Sequence, residues 1–117
     1  MTSNSKQILQ KVQEYRSKKL FVNAAFLLRE ALEKEPDSQE LRFAYAQVSG
    51  ESRDFYTAAT VFDELVHLNA EHPVYLVESA NAWSRLGEID KAVQYCQEAV
   101  RLTNSGHKSV ISLANIY

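Results

Sequence analysis

The sequence has little glycine, proline or cysteine, and each shortage excludes a class of structure. Its 117 residues include three glycines and two prolines, which is little material for the tight turns of an all-β fold. The single cysteine, Cys96, cannot form an internal disulfide, and no group of cysteines and histidines has the spacing of a metal site. The composition therefore favours a helical fold without cross-links or metal ions.

Long apolar runs and an excess of one charge are also missing. The longest apolar stretches have only a few residues, as from Ala24 to Leu28, and are too short to cross a bilayer. The first five residues are polar and lack the apolar core of a signal peptide. The formal net charge is −2 and the lysines and arginines are dispersed, so neither nucleic acid nor membrane is an expected partner. These features predict a soluble, cytoplasmic protein.

The sequence does contain an ungapped internal repeat with a period of 34 residues, the separation of Ala24, Ala58 and Ala92. At this spacing apolar residues align with apolar residues, and Ser49 is the one polar exception among the aligned sets. Further aligned sets are Leu28, Phe62 and Cys96; Ala31, Leu65 and Ala99; Val12, Ala46, Ala80 and Ala114; and Tyr15, Ser49, Trp83 and Tyr117. An internal repeat of this length is typical of stacked helix pairs.

Each repeat contains two segments with the apolar spacing of an amphipathic helix. In the second repeat the residues at i, i+3, i+4 and i+7 of one face are Leu41, Ala44, Tyr45 and Val48. Asp37 and Glu40 have the spacing of a capping box, Pro73 suits a first helical position, and Gly50 and Gly87 suit helix ends. We predict helices at residues 5–18, 21–34, 38–50, 54–68, 73–86, 89–102 and 107–117, with residues 1–4 frayed.

These residues resemble the tetratricopeptide repeat (TPR), whose signature includes a Tyr, then Ala-x3-Phe, then Pro. The first repeat has these positions as Tyr15, Ala24, Leu28 and Pro36. Lys11, Arg42 and Ser49 depart from the pattern, and only the first repeat keeps the closing Pro. The resemblance covers nearly the whole chain. It implies an all-α, right-handed superhelix in a single domain, residues 5–117, with repeats at about 5–36, 39–70 and 73–104 and a half repeat at 107–117.

In TPR proteins the first helix of each pair lines a concave surface where peptides bind, and two rows of residues follow this surface here. One row is apolar, and the other consists of carboxamides. The rows are Leu9, Phe43, Val77 and Ile111, and Gln13, Gln47, Asn81 and Asn115. A carboxamide has both donor and acceptor, so the second row could bind the backbone of an extended peptide, and it resembles the asparagine ladder of O-GlcNAc transferase. The alternatives are a solvated surface for the amides and core packing for the apolar row.

One TPR subclass binds the C-terminal carboxylates of heat-shock chaperones through a clamp of Lys, Asn, Asn, Lys and Arg. The matching positions here are Leu9, Gln13, Ala44, Val74 and Glu78. None is basic, and Glu78 would repel a carboxylate, so this ligand is not expected. Four basic residues along the rim leave a loose preference for acidic peptides open: Lys6, Arg16, Arg85 and Lys108.

No enzymatic chemistry is predicted from these residues. There is no Gly-rich phosphate loop and no nucleophile elbow, and Cys96 occupies a packing position. We therefore expect no catalytic residue, no cofactor and no metal. The predicted function is a non-catalytic protein–protein interaction module that binds an extended peptide or short helix in its groove. The alternatives are a targeting or oligomerisation domain of a larger enzyme, such as a sulfotransferase or glycosyltransferase, and a small assembly chaperone.

The last predicted helix has the apolar pattern of a first helix without its partner helix. Its core positions are Val110, Leu113, Ala114 and Tyr117. Two interpretations remain, a longer TPR protein that continues beyond this point, or a homodimer in which these residues mediate self-association.

Overall fold

The computed structural model describes residues 3–104, which form six α-helices and contain no strand. The helices are α1 (Ser3–Ser17), α2 (Phe21–Lys34), α3 (Gln39–Glu51), α4 (Phe55–Leu68), α5 (Pro73–Arg85) and α6 (Ile89–Asn104). Each begins and ends within two residues of its predicted bounds, so the all-helical fold is confirmed. The seventh predicted helix, at 107–117, lies outside the described residues. None of these six helices is long and apolar enough to cross a membrane.

The chain divides into two compact units, Met1–Val61 and Phe62–Tyr117. The boundary falls within α4. The first unit therefore contains α1, α2, α3 and the start of α4, and the second contains the remainder of α4 with α5 and α6.

The core of the first unit forms where α2 packs between α1 and α3. Its buried members are Val12, Ala24, Leu28, Ala31, Leu41, Ala44 and Val48. The alanines of α2 keep the helices close together, and the leucines fill the space between them. Since burial of one leucine side chain stabilises a fold by about 2 kcal/mol, Leu28 and Leu41 are major contributors to this unit.

In the second unit α5 packs against α6. Its buried residues on these two helices include Leu76, Ala80, Ala92, Cys96 and Ala99. Cys96 is fully buried, which agrees with the packing role predicted for it. The repeat therefore places small residues at the contacts between helices in both units.

The turns that follow α1, α3 and α5 have the same backbone geometry. Lys19, Arg53 and Gly87 have φ angles of 60°, 70° and 85°, and they occupy the same position in successive repeats. In each turn the next N–H donates to a carbonyl five residues earlier, as Leu20 to Tyr15, Asp54 to Ser49 and Glu88 to Trp83, at 2.8, 2.9 and 3.0 Å. This is the Schellman C-cap, which favours glycine at the left-handed position.

Two of the predicted helix signals need correction. Gly87 occupies a left-handed C-cap position as expected, but Gly50 lies within α3 and Arg53 takes the left-handed position instead. The capping box predicted from Asp37 is displaced by one residue, since Ser38 is the N-cap of α3 and its hydroxyl accepts from the Leu41 N–H at 3.2 Å. Serine and aspartate are both favourable N-cap residues, so the sequence does not show which of Asp37 and Ser38 caps the helix.

Candidate functional site

In the first unit the predicted groove residues differ in how far they reach solvent. Leu9 is partly buried and packs against the core of this unit. Phe43 and Gln47 of α3 are also partly buried, whereas Gln13 of α1 is exposed. Leu9 is therefore mainly a packing residue, while Gln13 presents its carboxamide to solvent.

An ion pair joins the ends of α1 and α3 beside Gln13. The guanidinium of Arg16 donates to both carboxylate oxygens of Glu51, from Nε to Oε1 at 2.7 Å and from Nη2 to Oε2 at 2.9 Å. It also donates to the Gln13 side-chain oxygen at 3.4 Å. Two parallel bonds hold an arginine more firmly than a single contact, so this guanidinium is already engaged within the chain.

In the second unit the first helix of the pair is α5. Val77 is 4% exposed, and it therefore belongs to the packed interior rather than to an open pocket. Asn81 is exposed, and Val74, at a predicted clamp position, is 46% exposed. The predicted Ile111 and Asn115 lie outside the described residues.

Glu78 lies on the same face of α5, four residues after Val74 and three before Asn81, which is neighbour spacing on a helix. Its side chain is partly buried. Among the described residues it has neither a hydrogen-bond nor an ion-pair partner. Burial raises the pKa of its carboxyl group above the usual value, because the charged form loses hydration without gaining a partner.

A second carboxylate, Asp63 of α4, has the opposite environment. Its Oδ1 accepts from the Ser79 hydroxyl at 2.9 Å, the Trp83 indole N–H at 2.9 Å and the Tyr95 hydroxyl at 2.7 Å. The ammonium of Lys91 lies 3.4 Å from Oδ2 and 3.9 Å from the centre of the Trp83 ring. We call these five residues the Asp63 cluster.

The Asp63 cluster holds its carboxylate in the ionised form. Burial opposes ionisation, but the hydrogen bonds from Trp83, Tyr95 and Ser79 and the charge of Lys91 together lower the pKa of Asp63. Burial and the adjacent Asp63 carboxylate raise the pKa of Tyr95, so its phenol stays protonated and donates. The cluster links α4, α5 and α6 within the second unit.

The sequence did not identify these interactions in advance. Trp83 is partly buried, and its hydrogen bond to Asp63 is not apparent from the repeat pattern in which it aligns with Tyr15. A usable signal was present in α4, where Asp63 lies four residues after Ala59 and three before Val66, on the same helix face as these two buried apolar residues. An acidic residue in that setting needs partners, since an unpaired buried carboxylate is costly.

Sequence comparison relates the chain to a known repeat protein. No family model matches it. It is 31% identical over 81 residues to the TPR repeat-containing thioredoxin TTL4 of Arabidopsis thaliana. The match covers 69% of this chain and 12% of that relative, so the chain spans only a small fraction of the relative's length.

Solved structures with the same fold are TPR domains. The Sgt2 TPR domain from Aspergillus fumigatus superposes with a TM-score of 0.83 at 13% identity, covering 98% of this chain and 75% of that one. The first TPR of Spaghetti (RPAP3), bound to the HSP90 peptide SRMEEVD, has a TM-score of 0.77 at 16% identity, covering 93% and 86%. At these identities the likeness establishes the fold.

Proposed function

Since the chain carries the repeat and the fold of the tetratricopeptide repeat family, we propose that it is a non-catalytic module that binds an extended peptide or short helix of a partner protein. The observation that supports this most directly is the placement of carboxamides on the first helix of each pair. Gln13 and Asn81 are exposed and Gln47 is partly exposed. Their donors and acceptors match those of a peptide backbone.

The carboxamide row, rather than the apolar row, carries the proposed recognition. Leu9 packs on the first core and Val77 is buried, so these two side chains contribute mainly to stability. Phe43 remains partly exposed and would contact an apolar side chain of the ligand. Ile111 and Asn115 extend the two rows in the sequence and belong to the same proposal.

Recognition of the backbone differs from recognition of a terminal carboxylate. The RPAP3 domain is bound to a peptide, SRMEEVD, that ends in an aspartate. In this chain Ala44 is buried at one clamp position, and Val74 and Glu78 occupy two others. Without a basic residue at these positions, the chain would not bind a C-terminal carboxylate as a carboxylate clamp does. The proposed ligand is therefore an internal segment of the partner protein.

The test replaces Gln13, Gln47 and Asn81 together with alanine. Peptides selected from a random phage-displayed library against the natural chain serve as probes, and affinity is measured by fluorescence anisotropy. Each lost hydrogen bond contributes about 1 kcal/mol, so the triple variant should bind at least about tenfold more weakly. A matched control replaces Gln10, Gln94 and Gln97, which are exposed carboxamides outside the row. Equal affinity of the triple variant and the natural chain would refute the proposal.

Two further roles are proposed with their own observations. The chain spans 12% of its thioredoxin relative, which favours a TPR segment within a larger protein whose activity lies elsewhere. The length of the parent reading frame tests this proposal.

Self-association through Val110, Leu113, Ala114 and Tyr117 follows from their apolar spacing. It predicts a dimer by light scattering, and a monomer at high concentration would contradict it.

A further inference from the structure

Glu78 differs from three other acidic residues of the chain, each of which has a cationic partner. Glu51 is bonded to Arg16, Asp63 to Lys91 and three donors, and Glu98 to Arg101. Glu78 is more buried than an ordinary surface glutamate but has no such partner among the described residues. It is therefore a carboxylate that has lost part of its hydration without compensation from residues 3–104.

An uncompensated carboxylate of this kind lowers the stability of the folded chain. The charged form is disfavoured by burial, and nothing within the described residues offsets the loss. A glutamine would have nearly the same shape without the charge. A partly buried carboxylate with no cation beside it among the described residues is a candidate binding group, because a cationic ligand would supply the missing partner.

The neighbours of Glu78 on α5 suit the remainder of a cationic side chain. Val74, one turn before it, has its side chain 46% exposed, which suits the aliphatic stem of a lysine or arginine. Asn81, nearly one turn after it, is exposed and can bond a peptide backbone. Apolar, acidic and amide groups thus follow one another along a single helix face.

We infer that Glu78, with Val74 and Asn81, binds a lysine or arginine side chain of the partner peptide, an inference that rests on the proposed peptide-binding function. The cationic head pairs with the Glu78 carboxylate, the stem lies on Val74, and Asn81 bonds the backbone beside it. The partner is therefore a peptide with a basic residue, opposite in charge to a ligand for a carboxylate clamp.

The first unit gives no competing preference for acidic peptides at Arg16. Its guanidinium is held by both oxygens of Glu51 and also contacts Gln13. An acidic ligand would have to displace Glu51 from this bidentate pair before it could bind there. Charge complementarity thus favours a basic side chain on the ligand.

The test compares three alanine-rich peptides that are identical except for one central lysine, glutamine or glutamate. Anisotropy at low ionic strength should show the lysine peptide binding at least about tenfold more tightly than the glutamine peptide. Glu78→Gln should abolish this preference, so that the variant binds the lysine and glutamine peptides equally. Glu33→Gln, an exposed glutamate on α2, makes the same change in net charge and should retain the preference.

A second measurement separates a binding role from a structural one. Glu78→Gln removes a desolvated charge, so its melting temperature at neutral pH should equal or exceed that of the natural chain. A substantial fall in melting temperature would indicate a structural role and overturn the inference. Equal binding of the lysine and glutamine peptides, tighter binding of the glutamate peptide, or a lysine preference that survives Glu78→Gln would also overturn it.

These outcomes are distinct from failure of the proposed function. If the triple carboxamide variant loses binding but Glu78→Gln keeps the lysine preference, peptide binding stands and the role of Glu78 is refuted. If none of the three peptides binds and no peptide is selected from the library, both are refuted.

Discussion

The left-handed residue after α3 makes a quantitative prediction about stability. Arg53 has a φ of 70° within a Schellman cap, and Gly87 occupies the equivalent position after α5 with a φ of 85°. A side chain in this conformation costs about 1–2 kcal/mol relative to glycine. Glycine loses more entropy on folding, by about 0.4–1 kcal/mol, so the mid-range values leave a net gain of about 0.8 kcal/mol for Arg53→Gly.

Gly87→Ala is the reciprocal change and isolates the backbone. A Cβ at Gly87 would meet no atom within 4 Å, so the substitution introduces no steric clash with its surroundings. It should destabilise the chain by a similar amount, about 0.5–1 kcal/mol. The backbone hydrogen bond from Glu88 to Trp83, at 3.0 Å, keeps the turn in place, so the strain cannot be relieved without breaking the cap.

Urea unfolding followed by far-UV circular dichroism measures both effects. Arg53→Gly should raise the midpoint and Gly87→Ala should lower it, each without a change in slope, because the surface exposed on unfolding is the same. Arg53→Ala is the control, since it removes the side chain and keeps the strain, and it should unfold like the natural chain. A lower midpoint for Arg53→Gly, or no effect of Gly87→Ala, would refute the assignment of strain to these caps.

Substitutions at two further positions, Asp63 and Gly50, test other parts of the structure. Asp63→Ala leaves the donors of Ser79, Trp83 and Tyr95 without their acceptor and should destabilise the second unit by about 2–3 kcal/mol, with a changed emission spectrum from Trp83, the only tryptophan. Because folding lowers the pKa of Asp63, its carboxylate stabilises the folded chain above the unfolded pKa of 3.8, and this stabilisation is lost as the pH falls through the folded pKa. Asp63→Asn should therefore make the free energy of unfolding depend less on pH in this range. An unchanged dependence on pH would contradict the role of the Asp63 cluster. Gly50→Ala places a Cβ 3.8 Å from that of Ala58, an ordinary contact, and should stabilise α3 by about 0.5–1 kcal/mol; a loss of stability in urea would show that the contact is tighter than the structure indicates.

The positions of the six described helices could be predicted almost entirely from the sequence. The repeat sets Ala24 and Leu28 at the spacing that faces a neighbouring helix, and helix formation depends on such local periodicity. The predictions were wrong at two helix ends, where Ser38 rather than Asp37 is the N-cap and Arg53 rather than Gly50 takes the left-handed position. Cap identity depends on which backbone groups the packed helices leave unpaired, and this is not apparent from composition.

The candidate site was only partly predictable. Periodicity identified the two rows, but it does not distinguish a side chain facing a groove from one that packs inward. The structure places Val77 in the interior and leaves Asn81 exposed, although both lie on the same helix. Residues four positions apart on a helix point in slightly different directions around the helix axis. This small difference is enough to bury one side chain and expose the other when a neighbouring surface is close.

The sequence by itself determined the helical class, the repeat and the positions of the carboxamides, because each follows from residue types at regular local spacing. Tertiary structure alone decided the partners of Asp63, Arg16 and Glu51, and the lack of one for Glu78 among the described residues. Those outcomes depend on which distant residues the helices bring together and on how much water each carboxylate loses. Hydration and long-range pairing are properties of the packed chain, and they turn Glu78 from an ordinary surface residue into the proposed contact for a basic ligand.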